Sequence, residues 1–155
     1  RVASRGLGDV YKRQILFTAI IANIAGALGR YIYGIFFKNN KRIIMNNILI
    51  LIIIVAGISI SNTSLQFMTL AIAGTFFAGP LHSSSRVVMA TLTPDDIQGI
   101  SFGMFTISGK ATAFIGPILA GVLTFVFSQR VGFGFSIVLL LMGFFLMTKV
   151  NYKNN

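Results

Sequence analysis

Ile43-Ile-Met-Asn-Asn-Ile-Leu-Ile-Leu-Ile-Ile-Ile-Val-Ala-Gly-Ile-Ser-Ile60 is an unbroken stretch without a charge, closed off on its N-terminal side by Lys41-Arg42. A bilayer hydrocarbon core of about 30 Å is crossed by roughly 20 helical residues at a rise of about 1.5 Å each. This run meets that length, and comparable runs flank it. Spans at about 15–37, 43–61, 67–90, 100–127 and 131–148 fill nearly the whole 155-residue chain. Ten-residue segments alternating at period two, the mark of an outer-membrane barrel, are absent. Lipid satisfies no backbone polar group, so helices remain. The expected fold class is an all-α membrane protein with five transmembrane helices over 15–148 and a tail over 149–155.

Composition agrees. The chain is 55% hydrophobic and 10% charged, with a mean hydropathy of +0.83 and Phe 15 against Trp 0, values that make a water-soluble domain a poor reading. The net charge of +10 would suggest nucleic acid in a soluble protein. Here the cations stand singly or in short groups between apolar runs, so no nucleic-acid partner is expected. With Cys 0, disulfides, thiolate metal sites and a thiol nucleophile are excluded. No cofactor and no metal site is expected.

Residues 1–14 differ from the rest. Arg1 to Gln14 is polar and basic, lacks an initiator Met, and gives way abruptly to apolar sequence at Ile15. It resembles translated adaptor sequence and is set aside as non-native. Basic residues in the short connections set orientation: Lys38, Lys41 and Arg42 follow the first span, Arg86 ends the third, and Lys149 and Lys153 follow the fifth. By the positive-inside rule those ends and the C-terminus are cytoplasmic. The connections at Ser61–Gln66 and Ser128–Gly132 carry only Arg130. Arg1, Arg5, Lys12 and Arg13 would conflict with this arrangement if residues 1–14 were native.

The link Thr91-Leu-Thr-Pro-Asp-Asp-Ile-Gln98 reads as a helix start, with Thr93 capping, Pro94 in first position, and Asp95 and Asp96 at the positive end of the dipole. A paired-carboxylate site is the other reading. Adjacent helical residues point about 100° apart, and no second titratable partner lies nearby. Gly79-Pro80 and Gly116-Pro117 fall within spans, where proline removes a backbone hydrogen bond; both helices are expected to kink, either for gating or for packing. Gly26, Gly29, Gly99 and Gly103 are expected to be helix-packing grooves.

Ionisable residues inside a membrane are costly, about 2.5–3.5 kcal/mol for lysine or arginine at mid-bilayer. Lys110 is the deepest, nine residues from Ser101 and so roughly 14 Å in at about 1.5 Å per residue. It reads as a pathway residue or as a lysine bonded to helix-end carbonyls. His82 and Arg86, at i and i+4, share a face with Ser83, Ser84 and Ser85 beside them. Arg86 is a gate residue or a snorkelling anchor, and His82 a pathway or packing residue. Asn23 and Arg30 of the first span are further pathway candidates. The acids are Asp9, Asp95 and Asp96, and none lies in the five predicted spans. A mate for Lys110 must then come from elsewhere, and an anionic or zwitterionic small solute is the economical one.

From Phe77 to Phe133 the pattern Gly79…Ser85-Arg86…Ala90…Leu92…Pro94…Phe102-Gly103…Ser108-Gly-Lys-Ala-Thr112…Gly116-Pro117…Gly121…Ser128-Gln-Arg-Val-Gly132 resembles the vacuole-effluxer-like branch of the major facilitator superfamily. That branch includes bacterial permeases and a fungal vacuolar amino-acid effluxer. The likeness is order- and spacing-specific over these residues and loose over Ile15 to Ile60. The resemblance implies helices eight to twelve of twelve, most of a C-terminal six-helix bundle, with the N-terminal half of the protein missing. It also implies secondary active transport by alternating access. One departure stands out: Gly34-Ile-Phe-Phe-Lys-Asn-Asn-Lys-Arg42 keeps the basic end of the superfamily's loop signature and lacks its acid. A charge relay in that loop is thereby put in doubt.

The expectation is therefore a permease fragment of a cell (inner) membrane, for amino acids or other small carboxylated solutes and inactive alone. Lys110 faces the cavity, Arg86 and Ser83–Ser85 line the cytoplasmic gate, and Arg130 sits in the outer turn. A membrane-embedded enzyme using His82, Ser84, Arg86 and Asp95 or Asp96 is one alternative, though it lacks a nucleophile–base–orienter set at close spacing. A non-transporting scaffold is the other.

Overall fold

In the computed structural model the backbone is described for residues 2–151 and the side chains for 13–151 apart from Gln129. Five helices follow one another: α1 Val2–Phe36, α2 Asn40–Ile60, α3 Ser64–Leu92, α4 Gln98–Val126 and α5 Gln129–Lys149. A 3-10 turn, Asp95–Ile97, leads into α4. All five are long and apolar enough to cross a membrane, the qualifying segments being Arg13–Phe36, Asn40–Ile60, Ser64–Leu92, Asp95–Val126 and Arg130–Lys149. The five spans expected from hydropathy are thus present, with α1 running further toward the N-terminus than its predicted span.

The connections are tight because side chains satisfy the first backbone donors of the next helix. Asn39 accepts from the Arg42 amide ahead of α2, Thr63 from the Gln66 amide ahead of α3, and Ser128 from the Val131 amide ahead of α5. Gln66 Oε1 reaches back to accept from the Asn62 amide at 3.3 Å, a reciprocal arrangement akin to a capping box. The α3–α4 link departs from expectation. Thr93 does not cap α4: its hydroxyl donates back to the Met89 carbonyl (2.8 Å), and Ile97 occupies the N-cap position. Ser/Thr hydroxyls compete readily for the carbonyl four residues earlier. Asp95 is held by its own turn, accepting from Gln98 Nε2 at 2.9 Å.

The helices form an open row, α1–α3–α2–α5–α4, in which α3 rather than α2 lies beside α1. α4 touches the rest mainly through α5. The core sits where α2 meets its two neighbours: Ile43, Ile44, Ile48, Leu51 and Ile54 of α2 are buried together with Val88 of α3. Leu140, Phe144 and Met147 of α5 pack against that cluster. At the same end, Lys41 Nζ donates to the Val150 carbonyl at 2.5 Å, placing an ammonium on the negative end of α5.

α1 and α3 meet backbone to backbone. A Cβ on Gly29 would collide with the Phe76 carbonyl oxygen, and one on Gly79 with the Gly26 carbonyl oxygen. Phe76 lies four residues before Pro80, and proline has no N–H to give it. The carbonyl that Pro80 leaves without an intrahelical donor is therefore the one that Gly29 covers, its second Hα directed where a Cβ would stand. Such Cα–H···O contacts recur between close helices. Pro80 itself is fully buried. The packing role expected of Gly26 and Gly29 is realised, whereas Gly99 and Gly103 have nothing within 4 Å of a modest side chain. α4 and α5 approach similarly at their hairpin, where a Cβ on Gly132 would meet the Thr124 hydroxyl and stand 2.8 Å from the Ala120 carbonyl.

A Gly79→Val chain is expected to lose about 1–3 kcal/mol of stability through this overpacking, read as earlier denaturation during detergent titration monitored by circular dichroism. Gly121→Ala, which meets open space, serves as control and is expected to be neutral or slightly stabilising.

Candidate functional site

α4 is the helix least enclosed, with no buried residue along its length. Its half-covered positions Ser101, Phe102, Phe105, Gly116, Ala120 and Leu123 form one stripe, facing inward. At about 100° per residue, Lys110 projects well away from that stripe. Gly99, Gly103, Thr106, Phe114, Pro117, Gly121 and Thr124 fall within about 40° of Lys110 on the same helical projection. Gly99, Gly103 and Gly121 each have nothing within 4 Å, so this face is open beside its glycines, with Phe114 projecting one turn beyond Lys110. Lys110 is exposed at its centre. Thr106 and Thr112 turn their hydroxyls onto the Phe102 and Ser108 carbonyls of their own helix at 2.8 and 2.9 Å.

The two Gly-Pro pairs thus stand in different surroundings. Gly79-Pro80 is locked into the α1 contact, while Gly116 has nothing within 4 Å and Pro117 is exposed. Proline at 117 deprives the Ala113 carbonyl of its donor one turn beyond Lys110.

The polar residues of α3 do not act as one face. Pro80, Ser84 and Val88 recur every four residues as a buried stripe, and Ser84 is 5% exposed. Ser85 is half-buried and donates to the Leu81 carbonyl at 2.7 Å. His82, Ser83 and Arg86 are exposed. Asn23 and Arg30, seven residues apart, share an exposed side of α1, and Asn23 Nδ2 donates to the Ala19 carbonyl at 2.8 Å. At the opposite end of the row, Arg130 reaches across to the α2–α3 turn, its Nη2 donating to Asn62 Oδ1 at 2.9 Å. Lys110, His82/Arg86 and Arg130 are thus on separate parts of the row. Among the described residues no group of three or more His, Cys, Asp or Glu has the spacing to hold a metal.

Asn47 escaped the sequence reading. It is wholly enclosed in the α2 core, and neither its Oδ1 nor its Nδ2 has a hydrogen-bond partner. The signal was available: its spacing from Ile43, Ile44, Ile48, Leu51 and Ile54 places it on the inward stripe. An amide so placed is costly unless paired, by about 1–3 kcal/mol. Asn47→Leu, close in size, is expected to raise stability by a comparable amount in a detergent denaturation series, and a loss would show that the amide is engaged in the membrane.

No curated protein and no solved structure matches the chain. A family model described as "Vacuole effluxer Atg22 like" matches residues 9–155, nearly the entire length. The family is one of permeases of the major facilitator type, which implies a lipid bilayer and a small solute. This match, over five helices long and apolar enough to cross a membrane, places the chain in the Atg22-like vacuole effluxer family.

Proposed function

We propose that the chain is most of one helical bundle of a secondary transporter, and that the open face of α4 lines its solute path. The observation that carries this is the exposed Lys110 on an open strip of Gly99, Gly103, Pro117 and Gly121, with Phe114 one turn beyond it. A cation in the membrane interior is tolerated where it faces a cavity or a partner, and neighbouring glycines admit a solute close to the backbone. The family supports the transport class, and the charge of Lys110 supports an anionic or zwitterionic solute such as an amino acid. Solute would enter beside α4, its carboxylate against the Lys110 ammonium. The exposed Ala113 carbonyl freed by Pro117 would take an ammonium or hydroxyl group one turn further along.

His82, Ser83 and Arg86 would serve the gate at the basic end of the row. Ser84, by its burial, belongs instead to the α2–α3 packing, and Ser85 bonds its own helix. Asn23 and Arg30 flank the glycine seam of α1 and would face the solute or a further helix closing the row. Alternating access requires a second bundle, so the 155 residues alone are proposed to be inactive. Placement in a cell (inner) membrane with a cytoplasmic C-terminus rests on the positive-inside bias of Lys38, Lys41, Arg42 and Lys149; the family takes its name from a vacuolar effluxer.

A Lys110→Met carrier is expected to lose solute uptake or efflux by at least about tenfold, the scale of one charge-assisted hydrogen bond, with expression and membrane insertion unchanged. Undiminished transport across a panel of amino acids and carboxylates would remove Lys110 from the path. Arg86→Gln is expected to slow transport while leaving solute affinity within about twofold, as a gate residue outside the binding site should.

A further inference from the structure

A cavity lies at the end of the helices away from Lys38, Lys41 and Arg86, bounded by α1, the α2–α3 turn, α3 and the start of α5. Its volume is about 840 Å³, within the range that holds a small organic ligand. The inner wall is apolar, from Ile15, Ala19 and Ala22 of α1 and Phe67, Met68 and Ala71 of α3. The mouth is polar and carries one charge, Arg130, beside Asn62, Thr63 and Ser128. No described residue of the lining is a carboxylate. Phe67 and Phe133 meet edge to face at 5.9 Å on its floor.

The electrostatics at the mouth have one sign. Arginine offers five donors in a planar fork, and the bond to Asn62 engages one of them while fixing the guanidinium across the opening. Thr63 and Ser128 are the N-caps of α3 and α5, so two positive helix ends reinforce the cation. A ligand suited to this arrangement has an anionic head for Arg130 and a short apolar body for the wall behind it.

We propose that this cavity is a binding site for an amphiphilic anion, a carboxylate or phosphate monoester on an apolar tail, anchored by Arg130. It is separate from the α4 face, and it holds whether or not Lys110 lines a solute path. Such an anion has two sources, a soluble metabolite or the headgroup of an anionic lipid, since helix ends lie at the level of the headgroups.

The chain has no tryptophan, so Phe133→Trp supplies a lone fluorescent reporter on the cavity floor. In phosphatidylcholine nanodiscs, titration with decanoate and with decyl phosphate is expected to give a saturable change, and decanol a response at least about tenfold weaker. Arg130→Gln in the same background is expected to weaken anion binding about tenfold, the scale of one charge-assisted hydrogen bond, and Arg130→Lys to restore part of it. Asn62→Asp keeps the tie to Arg130 and sets a competing carboxylate in the mouth. It is expected to weaken anion binding as strongly without loss of fold. In phosphatidylglycerol nanodiscs, loss of decanoate binding assigns the site to a lipid headgroup, and retention assigns it to a soluble anion. Equal responses to decanol and decanoate, or anion affinity unmoved by both Arg130→Gln and Asn62→Asp, would overturn the proposal.

Discussion

The contact between the Phe76 carbonyl and Gly29 governs how this row of helices is built. In lipid there is little hydrophobic gain in bringing two apolar helices together, so association depends on close packing and on meeting backbone polar groups. Pro80 creates such a group by withholding its N–H, and α1 covers it with a glycine. Gly79 allows the reciprocal approach to the Gly26 carbonyl. With α1 drawn onto one side of α3, the remaining side is left for α2, where Val88 packs with Ile44 and Ile48. That explains why α1 and α2, adjacent in sequence, are parted by α3.

From that anchor the row extends by ordinary apolar packing through α2 and α5, and it ends on α4, which is held by α5 along one side only. A helix in this position leaves most of its circumference to whatever lies next to it. The strip around Lys110 carries glycines, a proline and a threonine beside Phe114, while exposed aliphatics such as Ile100, Ile107 and Ile118 occupy other parts of the open surface of α4. Small residues favour close approach by a backbone or a solute, and a lysine favours the solute, since an apolar helix seated there would have to desolvate the ammonium. The unpaired amide of Asn47 is a different kind of cost, inside the best-packed part of the row.

Helix number and span were legible in the sequence because twenty-residue apolar runs broken by Lys38–Arg42, Ser61–Ser64, Pro94–Asp96 and Ser128 leave little choice in lipid. The small-residue contact at Gly26 and Gly29 was legible for a related reason, as glycine inside a span is rarely neutral. Lateral order was not. Whether Gly79-Pro80 is a hinge or a seam depends on which carbonyl meets which glycine two helices away, and hydropathy says nothing about that. Ser83, Ser84 and Ser85 differ in burial because consecutive helical residues point about 100° apart, so that Ser84 enters the core while Ser83 stays exposed. Thr93 was misread because a hydroxyl between two helices can serve either, and the carbonyl of Met89 was nearer. Asn47 was overlooked since one amide scarcely alters the hydropathy of a run as apolar as Ile43–Ile60. Arg130 could be placed in a turn but not above a cavity, which exists only once α1 and α5 are set on either side of the α2–α3 connection.

Water access to position 110 is the most direct measurement of the central idea. The chain has no cysteine, so Lys110→Cys, studied in sealed membrane vesicles, sets one thiol among these 155 residues, as does a Met142→Cys control on the exposed apolar side of α5. A water path along α4 predicts that a charged, membrane-impermeant thiol reagent modifies position 110, that added solute slows the reaction, and that position 142 stays unmodified. Modification of both positions only by a lipid-soluble reagent would mean that the α4 face looks onto acyl chains, contradicting a solute path beside Lys110.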